Sequence, residues 1–327
     1  MSVSSKPASQ TASNGIPPPK LDLPYPDRPE VVTANLLRLT ELVPEPRTKE
    51  IFTGLVTHLH QFVQEANLTT EEWMKGIRFL TEVGQKCTDL RQEYIMLSDV
   101  LGVSALVDTM NNPPLKNATE SCLIGPAYTD DAPDVGHGGT IIDDEKGIGN
   151  AEYMYLEGRV LTTDGKPIND AIIESWETDE NGIYDVQYDV RDKPNGRGRL
   201  RTDSEGNFAL RGIVPLAYPL PDDGPVGKLL KVWNRHNMRA AHLHLIIKAP
   251  GFRTLTTQLY PEGDRWANTD VVFGPKKSLI VTLKEVGDAN EAVQRGIPGG
   301  APFKLLQYDF VLPSEAEAEE ARFLSTS

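Results

Sequence analysis

The sequence predicts an α+β fold, in which a helical N-terminal region precedes a β-sandwich or barrel. Between residues 29 and 110, apolar residues recur at every third or fourth position, which is typical of amphipathic helices. Beyond residue 149, apolar and polar residues alternate in short segments separated by turn residues such as Asp164 and Gly165, which is typical of strands. A run of helices followed by a run of strands indicates an α+β chain or two regions of different class.

Changes in composition predict four regions along the chain of 327 residues. Residues 1–28 are rich in Ser and Pro and are expected to form a flexible lead-in. A helical domain is expected over residues 29–112 and a β-sandwich domain over residues 113–313, which is rich in loops up to residue 149. The acidic, alanine-rich residues 314–327 predict a short surface helix or a frayed tail.

At least four helices are predicted in the helical domain, with starts near Pro29, Pro46, Thr69 and Asp89. Thr69 and Glu72 have the spacing of a capping box, in which each side chain hydrogen-bonds the backbone of the other residue. Seven strands are predicted from apolar alternation between turn signals. They span residues 156–161, 172–177, 207–213, 243–248, 254–260, 279–284 and 305–312.

Composition narrows the classes of function. A formal net charge of −14 argues against nucleic acid as a partner, because that binding rests on clustered Lys and Arg. Cys87 and Cys122 have neither zinc spacing nor a disulfide framework, which suits a reducing compartment. Residues 1–16 hold no apolar run of a secretory signal, and no segment is long and apolar enough to span a membrane. A cytoplasmic location without membrane insertion is therefore expected.

Two His-x-His pairs differ in what their backbone allows. His242 and His244 stand in a predicted strand, where residues two apart point to one face, so both imidazoles face the same side. Two such imidazoles form half of a metal site, although buried histidines held by hydrogen bonds would give the same pattern. His58 and His60 stand in a predicted helix, where residues two apart point roughly 200° apart, so this pair is not expected to bind one metal.

Tyr184 and Tyr218 are the further candidate ligands in the β region. Tyr184 follows the turn residues Asn181 and Gly182, and the prolines after Tyr218 hold its backbone extended. Phenolate is a hard anionic oxygen donor, so it favours Fe(III) over Zn(II) or Cu(I). Half-buried tyrosines whose hydroxyls make ordinary hydrogen bonds are the alternative interpretation of the residues alone.

Four segments, in matching order, resemble the intradiol ring-cleavage dioxygenases, in the branch of the catechol 1,2-dioxygenases and hydroxyquinol 1,2-dioxygenases. They are residues 176–187 (WETDENGIYDVQ), 218–227 (YPLPDDGPVG), 239–244 (RAAHLH) and 256–258 (TTQ). In the helical region, residues 72–76, 98–104 and 118–126 agree as well. The resemblance covers about residues 30–312, and it departs at Ala240, where many relatives carry proline.

The resemblance implies a mononuclear, non-haem Fe(III) site in a β-sandwich catalytic domain, with Tyr184, Tyr218, His242 and His244 as ligands. The implied substrates are a catechol-type aromatic and O2, and the ring is cleaved between two adjacent hydroxyl-bearing carbons to a muconate-type product. Tyr218 is the ligand expected to leave and take up a proton when the substrate binds.

Two further residues acquire expected roles from the resemblance. Arg239 is expected to stabilise charge that develops on the substrate ring, with a surface salt bridge as the alternative. Gln258 is expected to hydrogen-bond an iron ligand or a substrate oxygen, with a purely structural hydrogen bond as the alternative.

The resemblance also implies a substrate pocket, whose expected wall consists of Asp99, Leu123, Gly125, Pro126, Ala127, Val271 and Val272. Small side chains such as Ala127 make the pocket roomy, and a buried Asp99 needs a polar partner, which a third substrate hydroxyl supplies. These features favour hydroxyquinol (1,2,4-trihydroxybenzene), which would give maleylacetate. Gln258 in its Thr-Thr-Gln segment is closer to the catechol enzymes, which give cis,cis-muconate, so both substrates stay open with hydroxyquinol preferred.

Members of the family are dimeric through N-terminal helices, in some cases with a lipid bound between them, so the resemblance implies a homodimer. The competing interpretation is a non-catalytic β-sandwich module in which His242 and His244 hold zinc, copper or no metal. That module would be colourless and would not need Tyr184 or Tyr218. Tyr188, four residues after Tyr184, is expected not to bind iron.

Overall fold

The computed structural model describes residues 15–88, 91–145 and 147–326. The expected lead-in at residues 1–28 therefore lies in part outside the described residues, as does the helix start expected near Asp89. The chain divides into two compact units, and the division falls between Ile77 and Arg78. The domain boundary expected at residues 112–113 stays a prediction.

Eight α-helices form in the described residues, and five of them precede the first strand. Their bounds are α1 Pro29–Thr40, α2 Pro46–Glu65, α3 Thr70–Lys86, α4 Glu93–Val100, α5 Val103–Asn111, α6 Pro225–Val232, α7 Ala289–Gln294 and α8 Glu315–Thr326. Proline lies in the first turn of α1, α2 and α6, where its missing N–H costs no helical hydrogen bond. Within the described residues, no helix is long and apolar enough to cross a membrane.

Side-chain hydrogen bonds hold the helices of the first unit. The N–H and hydroxyl of Thr69 donate to Glu72 Oε2 at 3.0 and 2.7 Å, and the Glu72 N–H donates to Thr69 Oγ1 at 3.3 Å. This is the predicted capping box, and α3 begins at the following residue. His60 lies in α2, and its Nδ1 is 2.8 Å from the Thr33 hydroxyl of α1.

Thirteen strands follow in the second unit, within the described residues. Their bounds are β1 Gly139–Thr140, β2 Tyr153–Thr162, β3 Ile172–Trp176, β4 Arg197–Arg201, β5 Asn207–Ile213, β6 Tyr218–Pro219, β7 Met238–Arg239, β8 Leu243–Lys248, β9 Leu255–Pro261, β10 Ile280–Val281, β11 Lys284–Val286, β12 Phe303–Gln307 and β13 Phe310–Leu312.

These strands build two larger sheets and a two-stranded ribbon. One sheet has the order β1-β5-β2-β12-β11 with β13 beside β2, the other has the order β10-β9-β8-β3-β4, and β6 pairs with β7. One buried core contains Leu156 and Leu210 of the first sheet together with Ile173 and Leu245 of the second. Each such side chain contributes about 1.5–3 kcal/mol when it is fully buried. The two sheets therefore pack face to face as a sandwich, and the α+β prediction is confirmed.

Some predicted strands differ from the observed ones. The strand expected at residues 305–312 is interrupted after Gln307, because β12 pairs with the first half of β2 and β13 with the second half. The strand expected at residues 279–284 divides into β10 and β11. β4 was not predicted, since its sequence Arg-Gly-Arg-Leu-Arg has no apolar alternation.

Candidate active site

A single row of opposed residues crosses four strands of the second sheet. Arg197 of β4 lies opposite Trp176 of β3, Trp176 opposite His244 of β8, and His244 opposite Gln258 of β9. Directly opposed residues of antiparallel strands point to the same face, so this face collects all four side chains. The indole of Trp176 stacks on the His244 ring, with centroids 4.5 Å apart and planes 7° apart. The stack fixes the plane of the imidazole.

The two histidines of the predicted pair are buried and aim at one point. His244 lies in β8, and His242 is the residue immediately before this strand. Their Nε2 atoms are 3.1 Å apart. His242 Nδ1 lies 2.6 Å from the Ala240 carbonyl, which assigns the ring proton to Nδ1 and leaves a lone pair on Nε2. Burial lowers the pKa of His242 to about 3 and the pKa of His244 well below its usual value, so both rings are neutral.

The two tyrosines complete the cluster. Tyr184 Oη donates a hydrogen bond to Tyr218 Oη at 3.2 Å and lies 3.1 Å from His244 Nε2. Tyr184 follows a tight turn at Gly182, whose φ of +75° favours glycine and where a Cβ would lie 3.2 Å from the Tyr218 Cβ. Burial raises the pKa of both phenols, that of Tyr184 well above its ordinary value.

The four donor atoms fit a single metal ion. Their neighbouring separations of 3.1–3.2 Å are those of ligands that share one ion at roughly 2 Å each. Two neutral imidazoles and two phenols that ionise only beside a strong positive charge match the donor set of a hard, highly charged cation. Elsewhere in the described residues, no group of three or more His, Cys, Asp or Glu side chains is arranged to hold a metal.

Arg239 and Gln258 contact the candidate ligands, Arg239 at Tyr218 and Gln258 at His244. Arg239 is buried, its Nη1 lies 3.5 Å from Tyr218 Oη, and its Nη2 donates to Gln258 Oε1 at 3.0 Å. Gln258 Nε2 donates to the Leu123 carbonyl at 2.6 Å and lies 3.2 Å from His244 Nδ1. The structure thus joins both residues to the histidines and to the loop at residue 123.

Several of the expected pocket residues lie beside the four candidate ligands. Ala127, Val271 and Val272 share a buried apolar cluster with Tyr184 and Tyr218, and Leu123 packs against this cluster. A Cβ at Gly125 would lie 3.2 Å from His244 Cε1. Asp99 of α4 is buried, and its charge interacts with that of Arg239. Burial raises the pKa of Asp99. The side chain of Pro126 is exposed, and its role stays a prediction.

Three further residues differ from the sequence-based expectation or complete it, and they are Tyr188, Trp176 and Asp270. Tyr188 is 44% exposed and donates to Asp179, outside the donor set. Trp176 and Asp270 belong to the site, although sequence reasoning assigned neither of them a function. Trp176 is the first residue of the motif at residues 176–187, but the motif gave it no function. The position of Asp270 directly before Val271 and Val272 is the sequence signal that could have identified it.

Comparison with known proteins assigns the family. The model described as dioxygenase matches residues 123–314, and the model described as catechol dioxygenase N terminus matches residues 45–119. An intradiol ring-cleavage dioxygenase of Aspergillus niger is 44% identical over 305 residues, which cover 93% of this chain and 89% of the relative. This chain belongs to the intradiol ring-cleavage dioxygenases.

Other relatives extend this result. A hydroxyquinol 1,2-dioxygenase of a Rhizobium species is 44% identical over 269 residues, which cover 82% of this intradiol dioxygenase and 90% of the relative. The crystal structure of hydroxyquinol 1,2-dioxygenase from Pseudomonas putida matches with a TM-score of 0.79 and 42% identity, over 88% of this chain and 99% of that one. The resemblance inferred from the motifs is confirmed.

Proposed function

We propose that this intradiol dioxygenase is a hydroxyquinol 1,2-dioxygenase. The reaction cleaves the bond between the two adjacent hydroxyl-bearing ring carbons, and both atoms of O2 enter the product, which is maleylacetate. The observation that carries the proposal is the convergence of Tyr184, Tyr218, His242 and His244 on one buried point beside a buried apolar cluster.

The proposed metal is a mononuclear, non-haem Fe(III) held by these four side chains. When bound, Fe(III) would supply a Lewis acid for the substrate oxygens and would give the ring the partial radical or carbanion character that makes it reactive toward O2. His242 presents a neutral nitrogen because the Ala240 carbonyl holds its other ring proton. Trp176 and Gln258 hold the ring of His244 in place.

Tyr218 is the proposed proton acceptor. Its Oη accepts a hydrogen bond from Tyr184 and lies next to Arg239 Nη1, so its anion is more stable than that of Tyr184. The Tyr218 oxygen would take one hydroxyl proton of the diol, and this one transfer needs no external base. Arg239 then has its positive charge beside the ring, where it stabilises developing negative charge in a site shielded from water.

Asp99 is the proposed selector of the third hydroxyl. Asp99 is buried, and its sequence neighbours Leu97 and Val100 belong to the apolar cluster that contains Val271 and Val272. A buried carboxyl gains most from a substrate that donates a hydrogen bond to it, which catechol does not do at this ring position. The similarity to two proteins named hydroxyquinol 1,2-dioxygenase supports the same substrate.

Turnover of the two diols tests this proposal. Iron-loaded protein is mixed with hydroxyquinol or catechol, and O2 uptake and ring-opened product are measured. We expect kcat/KM for hydroxyquinol to exceed that for catechol at least about tenfold, and Asp99→Asn to abolish most of this preference. Asp108→Asn is the control, since that carboxylate binds Ser121 and Lys276 instead. A preference for catechol would contradict the substrate assignment, and no turnover of either diol would contradict the enzyme assignment.

We also propose that two copies associate through the N-terminal helices. The described helices α1 to α3 expose many large apolar side chains, which a partner copy would cover. A lipid between the helices and a cytoplasmic location stay predictions.

A further inference from the structure

Asp270 is a buried carboxylate, 3% exposed, that lies immediately before the pocket valines. Its Oδ2 accepts hydrogen bonds from Arg239 Nε at 3.1 Å and from the Ala240 N–H at 2.8 Å. This oxygen therefore holds the segment that carries the catalytic arginine and leads into the two histidines.

The other oxygen of Asp270 holds the pocket wall. Its Oδ1 accepts from the Val272 N–H at 3.1 Å and from the Gly274 N–H at 3.2 Å, so the loop turns around the carboxylate. Within this turn Phe273 has a φ of +62°, a strained conformation for a bulky side chain, which persists only where surrounding contacts impose it. Gly274 also lies close behind the arginine, since a Cβ there would be 3.1 Å from Arg239 Nη2.

The guanidinium of Arg239 is thus fixed at two points. Gln258 Oε1 holds Nη2 and Asp270 Oδ2 holds Nε, which leaves Nη1 on the side of Tyr218 Oη. Two anchors on a planar fork define both its plane and its direction, whereas one anchor permits rotation about that contact.

We propose that Asp270 is a positioning residue that sets the orientation of Arg239 and the placement of the Val271 and Val272 wall together. One carboxylate thereby fixes the position of the Arg239 guanidinium relative to the wall of Val271 and Val272, against which the substrate ring would lie. The inference rests on the proposed function, because the task of Arg239 belongs to the ring-cleavage reaction.

Asp270→Asn tests the role, because it keeps the shape and replaces one acceptor oxygen by a donor group. We expect kcat with hydroxyquinol to fall about 100-fold, as for a misplaced catalytic group, while iron content and the visible spectrum are retained. Asp264→Asn is the matched control. Asp264 accepts from the Ala241 and Trp266 N–H groups at 3.2 and 2.7 Å, next to the same segment, and in the described residues it has no hydrogen bond to Arg239. Its kcat is expected to stay within about threefold of the parent.

A double-mutant cycle separates positioning from general stability. In an Arg239→Gln background, Asp270→Asn is expected to lower kcat by less than about threefold, because the arginine that it orients is gone, whereas the displaced wall of Val271 and Val272 still raises KM for hydroxyquinol. An equal, roughly 100-fold loss in both backgrounds would overturn the proposal. If the asparagine variant does not fold, Asp270→Glu, which moves the charge by one methylene, enters the same cycle with the same expectation.

The cycle is read only after turnover of the parent enzyme has been measured. A parent protein that cleaves neither hydroxyquinol nor catechol contradicts the proposed function. An active parent whose two losses multiply independently contradicts only the role of Asp270.

Discussion

Glu177 is a buried carboxyl outside the donor set. It follows Trp176, is 1% exposed, and its Oε1 accepts from the Ile213 N–H at 2.9 Å. Its Oε2 has no hydrogen-bond partner among the described residues. Burial raises the pKa of this carboxyl to about 8, so the folded protein keeps it protonated at neutral pH.

This shift predicts a pH-dependent loss of stability. Between the ordinary pKa near 4.5 and the folded value near 8, only the unfolded chain releases the proton, so the free energy of unfolding falls as pH rises. Each pKa unit corresponds to about 1.4 kcal/mol, so the complete loss, reached above pH 8, is of the order of several kcal/mol.

Glu177→Gln should remove most of this loss, because a neutral amide of similar shape has no proton to release. Thermal unfolding of the variant between pH 5 and 9, relative to the parent, checks the expectation. Glu180→Gln, an exposed carboxyl in the same loop, serves as the control and should follow the parent profile. A variant at position 177 with the parent's pH dependence would rule out a buried neutral carboxyl there.

At the residue scale, the sequence singled out the four side chains that the structure brings together, but not the residues that support them. A His-x-His pair on a strand and two phenols near turns also fit ordinary buried side chains, so the family motifs were needed to make them candidate ligands. The roles of Trp176 and Asp270 were not predicted. The contact of Trp176 with His244 depends on the register of β3 against β8, and the contact of Asp270 with Arg239 depends on how its loop folds.

At the scale of elements, α2 carries an apolar stripe that the described chain leaves exposed. Ile51, Leu55, Leu59 and Phe62 are each between 53 and 56% exposed, and their spacing places them on one side of the helix. In the described structure, no residue of this 20-residue helix is buried. A helix of this length owes its stability to a covered apolar face, which argues for a second copy as the cover.

Charge in this stripe should separate the copies. Leu55→Lys with Leu59→Lys is expected to convert the proposed dimer into a monomer, because two ammonium groups per copy would be buried without partners. Gln61→Lys with Gln64→Lys adds the same charge at exposed positions outside this stripe and should leave the association unchanged. Sedimentation velocity measures both, and a parent protein that is already monomeric would refute the association.

Elements were predictable where their residues are apolar. The strands at residues 207–213 and 243–248 have the expected bounds, and most of their side chains are buried. β4 was missed because its arginines are held by carboxylates from other segments, and Arg197 pairs with Asp185, directly after Tyr184. Partners distant in the sequence stabilise such a strand, so local pattern carries no signal for it.

At the scale of the whole molecule, the sandwich brings together four donors from three separate stretches of chain. Tyr184 comes from a turn after β3, Tyr218 from the ribbon strand β6, and the histidines from the start of β8. The sheet supplies the rigidity that holds donor atoms at fixed separations. The order of helices and strands followed from the sequence, whereas the meeting of these stretches required the family motifs or the structure.

Tyr184 and Tyr218 are proposed to bind Fe(III) together with His242 and His244. A visible spectrum of the iron-loaded protein is the direct test, because tyrosinate bound to Fe(III) absorbs broadly in the visible range and gives a red-purple colour. Tyr184→Phe should lose most of this absorption, and iron content is measured on the same samples. Tyr188→Phe is the matched control, an exposed phenol four residues away that should keep it.

We predict a coloured parent protein whose absorption band moves to longer wavelength when hydroxyquinol is added without oxygen. The Tyr188 variant should behave in the same way. A parent that stays colourless after iron is supplied, or a Tyr184→Phe variant that keeps the full band, would contradict the tyrosinate–iron site.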